Sequence, residues 1–130
     1  MSSASDSDPT VILVEDDTAL RSALAFMFET DGFRVRAYGS AETALAEGAF
    51  PRNSCLVVDY ILPRMDGLSF LREVEERQGP APSILITSHP SPVLRSQAAE
   101  AGVAIVEKPL LRDELVESVN FLLAARRPPA

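Results

Sequence analysis

The sequence predicts an α/β domain in which a five-stranded parallel sheet is covered on both faces by helices, and three observations predict it. Apolar runs short enough for strands alternate five times with segments whose apolar residues recur at helical spacing. Three of those runs, within TVILV, SCLVV and SILIT, are apolar in succession, so both faces of each must be covered, as inside a parallel sheet. Each run also stops at polar residues, which collects the chemistry-bearing groups at one edge of that sheet.

Thr10–Val14 is the first strand, set off by Pro9 and by Glu15, Asp16 and Asp17. Asp17 or Thr18 can cap the helix that follows, where Leu20, Ala23, Leu24, Met27 and Phe28 form one stripe and Asp31-Gly32 ends it. Over 33–38, Val35 and Ala37 alternate with Arg34 and Arg36, the pattern of a half-exposed strand near a sheet edge. Ser40, with Thr43 behind it, opens a short helix over 41–47 that Gly48 closes. The apolar residues 55–58 form a buried strand with Asp59 at its carboxyl end. After Pro63 a helix over about 68–77 turns Leu68, Leu71 and Val74 inward, and Gly79, Pro80 and Pro82 break it. Ser83–Thr87 is the next strand, and Pro90 and Pro92 stiffen the connection to an alanine-rich helix over about 93–101. The last strand spans 103–106 and leads into Glu107-Lys108-Pro109; a final helix over about 113–125 presents Leu115, Val116, Val119, Leu122 and Leu123. Residues 1–9 read as a flexible lead, 10–127 as one domain and 128–130 as a tail.

Composition narrows the function. With 130 residues, 46% of them hydrophobic, the chain can bury one real core. Its net charge of -7 repels nucleic acid and anionic membrane surfaces, so neither is expected as a direct partner. A single cysteine, Cys55, mid-strand, leaves no intrachain disulfide and no thiolate metal site, which fits a reducing cytoplasmic setting. The opening MSSASDSDP has neither the basic start nor the apolar stretch of a signal peptide, and no run approaches the ~20 residues of a membrane span.

At the strand ends stand Glu15 and Asp16, then Asp59, Thr87 and Lys108. Ligands of open parallel sheets collect at that edge. Clustered carboxylates need a cation, and hard oxygen ligands suit Mg²⁺. An acid held beside Mg²⁺, a hydroxyl and an amine is equipped to attack phosphorus, since phosphoryl transfer requires mainly positioning and charge neutralisation. Taken singly, the acids at 15–17 could be helix-capping residues, Thr87 an ordinary strand former and Lys108 a solvated lysine; their joint placement argues for a site. Arg21, Arg34 and Arg36 read as a solvated face, and Cys55 as inert core filling.

VILVEDD, DYILPRMDG, ILITS and the EKP after the fifth strand, in this order, resemble the response-regulator receiver domains of two-component signalling, CheY-like in fold. RSALAFMF, DGF and VEKP are similar to receivers of the nitrogen-fixation-regulator type. The resemblance implies a doubly wound, flavodoxin-like (βα)5 fold with strand order 2-1-3-4-5. It makes Asp59 the phosphoacceptor, Asp16 a direct Mg²⁺ ligand, Glu15 a ligand through water, and the Ile61 backbone carbonyl a further ligand. Thr87 would donate its hydroxyl to the phosphoryl group and shift inward, and Lys108, joined to Pro109 by a cis bond, would hold a phosphoryl oxygen. Ile105 departs from the pattern, because receivers commonly carry an aromatic there whose rotation accompanies the switch.

The reading is therefore a stand-alone receiver, a signalling domain that assists its own phosphorylation and dephosphorylation rather than an enzyme. A sensor histidine kinase or histidine phosphotransfer protein would supply its phosphoryl group, and its output would go to a downstream protein. Receivers of this kind also pair as homodimers through the fourth helix, fifth strand and fifth helix, the face that would hold Ile105. Two rivals stand beside this reading. One is a non-phosphorylated adaptor of the same fold, favoured by Ile105; the other is a Mg²⁺-dependent hydrolase with an aspartyl-phosphate intermediate, which would place an acid where Ile61 stands.

Overall fold

A computed structural model of the chain describes residues 8–126. The segments read as lead and tail therefore lie outside the described residues, apart from Asp8 and Pro9. The elements alternate without exception: β1 (Thr10–Val14), α1 (Thr18–Thr30), β2 (Arg34–Tyr38), α2 (Ala41–Ala46), β3 (Ser54–Asp59), α3 (Gly67–Gln78), β4 (Ser83–Thr87), α4 (Pro92–Glu100), β5 (Ala104–Glu107) and α5 (Arg112–Arg126). All strand pairs are parallel, and the sheet runs β2-β1-β3-β4-β5, the doubly wound, flavodoxin-like order.

Successive side chains of a strand point to opposite faces, so the central strands feed two cores. Ile12, Val14, Leu56, Val58 and Leu85 meet Ala41, Ala44, Leu68, Leu71, Val74 and Leu94 from α2, α3 and α4. Val11, Leu13, Cys55, Val57, Ile84 and Ile86 meet Leu24 and Phe28 of α1 and Leu115, Val119 and Leu123 of α5. Each large side chain removed from water in this way contributes about 1.5–3 kcal/mol. Four helices carry the side-chain caps that their starts call for: Asp17, Ser40, Asp66 and Ser91 accept from the N–H of Leu20, Thr43, Ser69 and Leu94.

The structure adjusts several expectations. Asp17 rather than Thr18 caps α1. Pro92 belongs to the first turn of α4 instead of the loop before it, a position where its missing N–H costs no helical bond. Strand β5 is shifted by one residue and takes in Glu107 while leaving out Val103, because the ladder with β4 pairs Thr87 with Glu107. In the edge strand β2, Val35 is half-buried but Ala37 is exposed, so only part of the expected alternation faces the core.

Candidate functional site

Register builds the site. Val14 pairs with Val58, so the next residues, Glu15 and Asp59, emerge side by side at the carboxyl edge. Asp59 pairs with Ile86, which puts Thr87 one step beyond, and Thr87 pairs with Glu107, which puts Lys108 beyond that. Four residues from four stretches of chain thus reach one edge, at the crevice where the strand order reverses between β1 and β3.

Asp59 is 5% exposed. Its Oδ1 accepts from the Ile61 N–H at 3.2 Å, and its Oδ2 lies 3.3 Å from the Lys108 ammonium. Glu15, Asp16 and Asp59 each offer a carboxylate oxygen, and these oxygens all lie within 4.8 Å of one another. At that spacing each pair of charges repels by about 1 kcal/mol in water and several times more near a protein surface. One lysine beside three acids leaves an excess of negative charge.

Glu15 carries the sharpest signature. It is 2% exposed; its Oε2 accepts from the Asp17 N–H at 3.1 Å, while Oε1 is buried with no hydrogen-bond partner among the described residues. Burial pushes its carboxyl up to about 7, and the neighbouring Asp59 charge adds to the push, against the opposing Asp17 N–H and Lys108. A buried acid with an orphaned oxygen, beside two more acids, fits a divalent cation, and an all-oxygen donor set fits Mg²⁺.

The other expected residues take distinct places. Thr87 is 3% exposed, and its hydroxyl donates to the Ser88 carbonyl at 3.3 Å rather than to Asp59. Ile61 is 72% exposed, while its backbone N–H is already engaged with Asp59. Pro109 follows Lys108 through a cis peptide bond. Ile105 is half-buried against the core that α4 shares with β4 and contributes nothing to the acidic cluster.

Two contributors escaped sequence reasoning. Gly67 opens α3 directly beneath the site; its N–H donates to the Tyr60 carbonyl at 2.8 Å, and a Cβ there would lie 2.3 Å from the Asp59 carbonyl oxygen. Its place in the DG pair after the Asp59 strand was a visible signal, although a helix start explained it equally well. Arg21, expected on a solvated face, instead turns its guanidinium back and donates to the Glu15 carbonyl at 2.7 Å. Its position off the apolar stripe of α1 could not disclose that contact.

This arrangement defines a class of protein, a doubly wound α/β module with an acidic, cation-fitted pocket and one lysine. Residues 11–120 match the response regulator receiver domain family, and the chain belongs to that family, the receivers of two-component signal transduction. It is similar to the transcriptional regulatory protein FixJ of Rhizobium meliloti (strain 1021), 37% identical over 114 residues that cover 87% of this chain and 56% of that one. It is also similar to the C4-dicarboxylate transport transcriptional regulatory protein DctD of the same strain, 33% identical over 120 residues, 92% of this chain and 26% of that one. The crystal structure of FixJ-N superposes with a TM-score of 0.82 at 33% identity, covering 95% of this chain and 98% of that one. The subfamily likeness drawn from RSALAFMF, DGF and VEKP agrees with these matches. The chain spans about half the length, or less, of these curated relatives. Among the described residues no helix is long and apolar enough to cross a membrane.

Proposed function

We propose that this receiver is a phosphoaspartate switch in which Asp59 takes a phosphoryl group from a phosphohistidine on a sensor kinase or phosphotransfer protein. An Asp59 carboxylate oxygen forms the new P–O bond as the P–N bond breaks, and the departing imidazole nitrogen keeps the electron pair. The observation that carries the reading is the buried Asp59 held between the Ile61 N–H and the Lys108 ammonium, with two further acids within 4.8 Å. The N–H and the ammonium hold the carboxylate in place before attack, which replaces a freely rotating nucleophile with a positioned one. Lys108 then neutralises charge on the incoming phosphoryl oxygens, and Thr87, one residue past the strand position opposite Asp59, can turn its hydroxyl from Ser88 toward them.

Glu15, Asp16, Asp59 and the Ile61 carbonyl would hold Mg²⁺, which when bound supplies charge neutralisation for the acids and the transferred group. The switch would leave the site through the shift of Thr87, and Ile105 cannot swing as a ring would. We assign the output to the α4, β5 and α5 face, either as a docking surface for a downstream protein or as a homodimer contact. Ile105 also supports a second reading, an adaptor of the same fold that is never phosphorylated.

Phosphotransfer from candidate kinases separates the two. Label is expected on the wild-type chain with Mg²⁺, and none on Asp59→Asn or in excess chelator. A wild-type chain that accepts no label from any donor, and whose spectra do not change with beryllofluoride and Mg²⁺, would establish the adaptor instead.

A further inference from the structure

We infer that Arg21 is a positioning residue for the cation pocket, which fixes the loop of acids through a main-chain atom, and that Gly39 is glycine to leave room for it. The role rests on the reading of Glu15, Asp16 and Asp59 as a cation site. Glu15 is held at each of its polar groups that has a partner. Its N–H donates to the Tyr38 carbonyl at 3.0 Å, tying it to the end of β2. Its carbonyl accepts from Arg21 Nη1 at 2.7 Å, tying it to α1. Its Oε2 accepts from the Asp17 N–H, closing the turn that carries Asp16.

Of these three ties only the second depends on a side chain from outside the loop. Arg21 is half-buried and, among the described residues, forms no salt bridge; its guanidinium donates to an uncharged carbonyl instead. The space it occupies is bounded by Gly39, where an added Cβ would lie 3.1 Å from Nη1 and 3.6 Å from Cζ. The backbone there is outside the left-handed region, so the constraint is volume and not conformational freedom. A charged donor on a carbonyl makes a strong, directional hydrogen bond. It holds the Glu15 peptide plane, and hence the directions in which the side chains at 15 and 16 leave the chain.

Charge and geometry make opposite predictions, which makes the role testable. A positive side chain near an acidic pocket opposes the arrival of a second cation, so if Arg21 acted by charge alone its removal would tighten Mg²⁺ binding. If it acts by fixing the loop, its removal loosens the ligands and weakens binding, and loss of such outer contacts lowers metal affinity by about tenfold or more.

The experiment is titration with MgCl₂ by isothermal calorimetry at constant ionic strength, at a temperature where circular dichroism shows each chain fully folded. The chains compared are wild type, Arg21→Met, Gly39→Val and Arg34→Met. Arg21→Met and Gly39→Val are expected to weaken Mg²⁺ binding about tenfold. Gly39→Val does so with the arginine charge retained, and it carries the test if Arg21→Met does not fold. Arg34→Met removes the same charge from an exposed strand position and is expected to bind within twofold of wild type. Equal or tighter binding by a folded Arg21→Met or Gly39→Val, beside a wild type that binds, overturns the positioning role alone. A wild type that takes up no Mg²⁺ overturns the cation reading and this role with it.

Discussion

Gly67→Ala tests how closely the fold and the site are joined. Alanine is the better helix former by up to about 1 kcal/mol, so propensity alone makes this a stabilising change at the start of α3. The structure reverses the sign. The new methyl would lie 2.3 Å from the Asp59 carbonyl oxygen and 2.9 Å from Leu85 Cδ1. An ordinary C···O contact is about 3.3 Å or more, so α3 or the end of β3 must move by about 1 Å. Neither neighbour is a flexible tip: one is main chain, and Leu85 is fully buried in the core. Overpacking costs about 1–3 kcal/mol where side chains can yield, and a rigid backbone puts this case at the upper end. The move would also stretch the 2.8 Å bond from the Gly67 N–H to Tyr60, which contributes about 1 kcal/mol. Net destabilisation is expected near 3 kcal/mol, read from urea unfolding as a fall in midpoint of about 1–3 M. Ser69→Ala, exposed in the same helical turn, serves as the control and is expected within about 0.5 kcal/mol of wild type. The folded fraction of Gly67→Ala should also accept phosphoryl groups more slowly, because the clash falls on the main chain of Asp59. A variant as stable as wild type to within about 0.5 kcal/mol would refute the reasoning.

Two other perturbations have signs fixed by the structure. Asp16→Asn removes one of three acids whose oxygens lie within 4.8 Å, so it is expected to raise stability without metal by about 1 kcal/mol and to abolish the stabilisation that saturating Mg²⁺ gives wild type; thermal melts with and without MgCl₂ check both arms, and a metal-free variant that melts lower than wild type contradicts the account. Burial pushes the Cys55 thiol from its ordinary 9.0 up to about 12. Because the folded value is the higher one, its contribution to stability is complete below pH 9 and is lost as pH rises toward 12. At pH 8 the folded chain should therefore react with a thiol reagent orders of magnitude more slowly than the chain in urea, and comparable rates would show Cys55 to be accessible.

What could be read from the residues was whatever neighbours in the chain decide. Unbroken apolar succession in TVILV and SILIT requires cover on both faces whatever lies opposite, and capping residues such as Ser40 and Asp17 act on the next turn, so strands, helices and the list of strand-end groups were legible. Element ends were legible only to a residue or so: Glu107 joins β5 because a ladder partner on β4 extends it, and Pro92 enters α4 because Ser91 caps ahead of it.

The tertiary structure alone decided the rest, because those properties belong to distances across the sheet. Register set Glu15 beside Asp59; packing sank Glu15 and orphaned one of its oxygens while leaving Asp16 in solvent, a difference that two adjacent acids do not carry in their letters. Arg21 follows the same rule. Its place off the apolar stripe described a solvated face, and only the meeting of α1 with the ends of β1 and β2 turned its guanidinium onto a carbonyl and set it against Gly39. Hydrophobic pattern is a property of sequence, whereas the field and the volume around a polar group are set by what the fold brings against it.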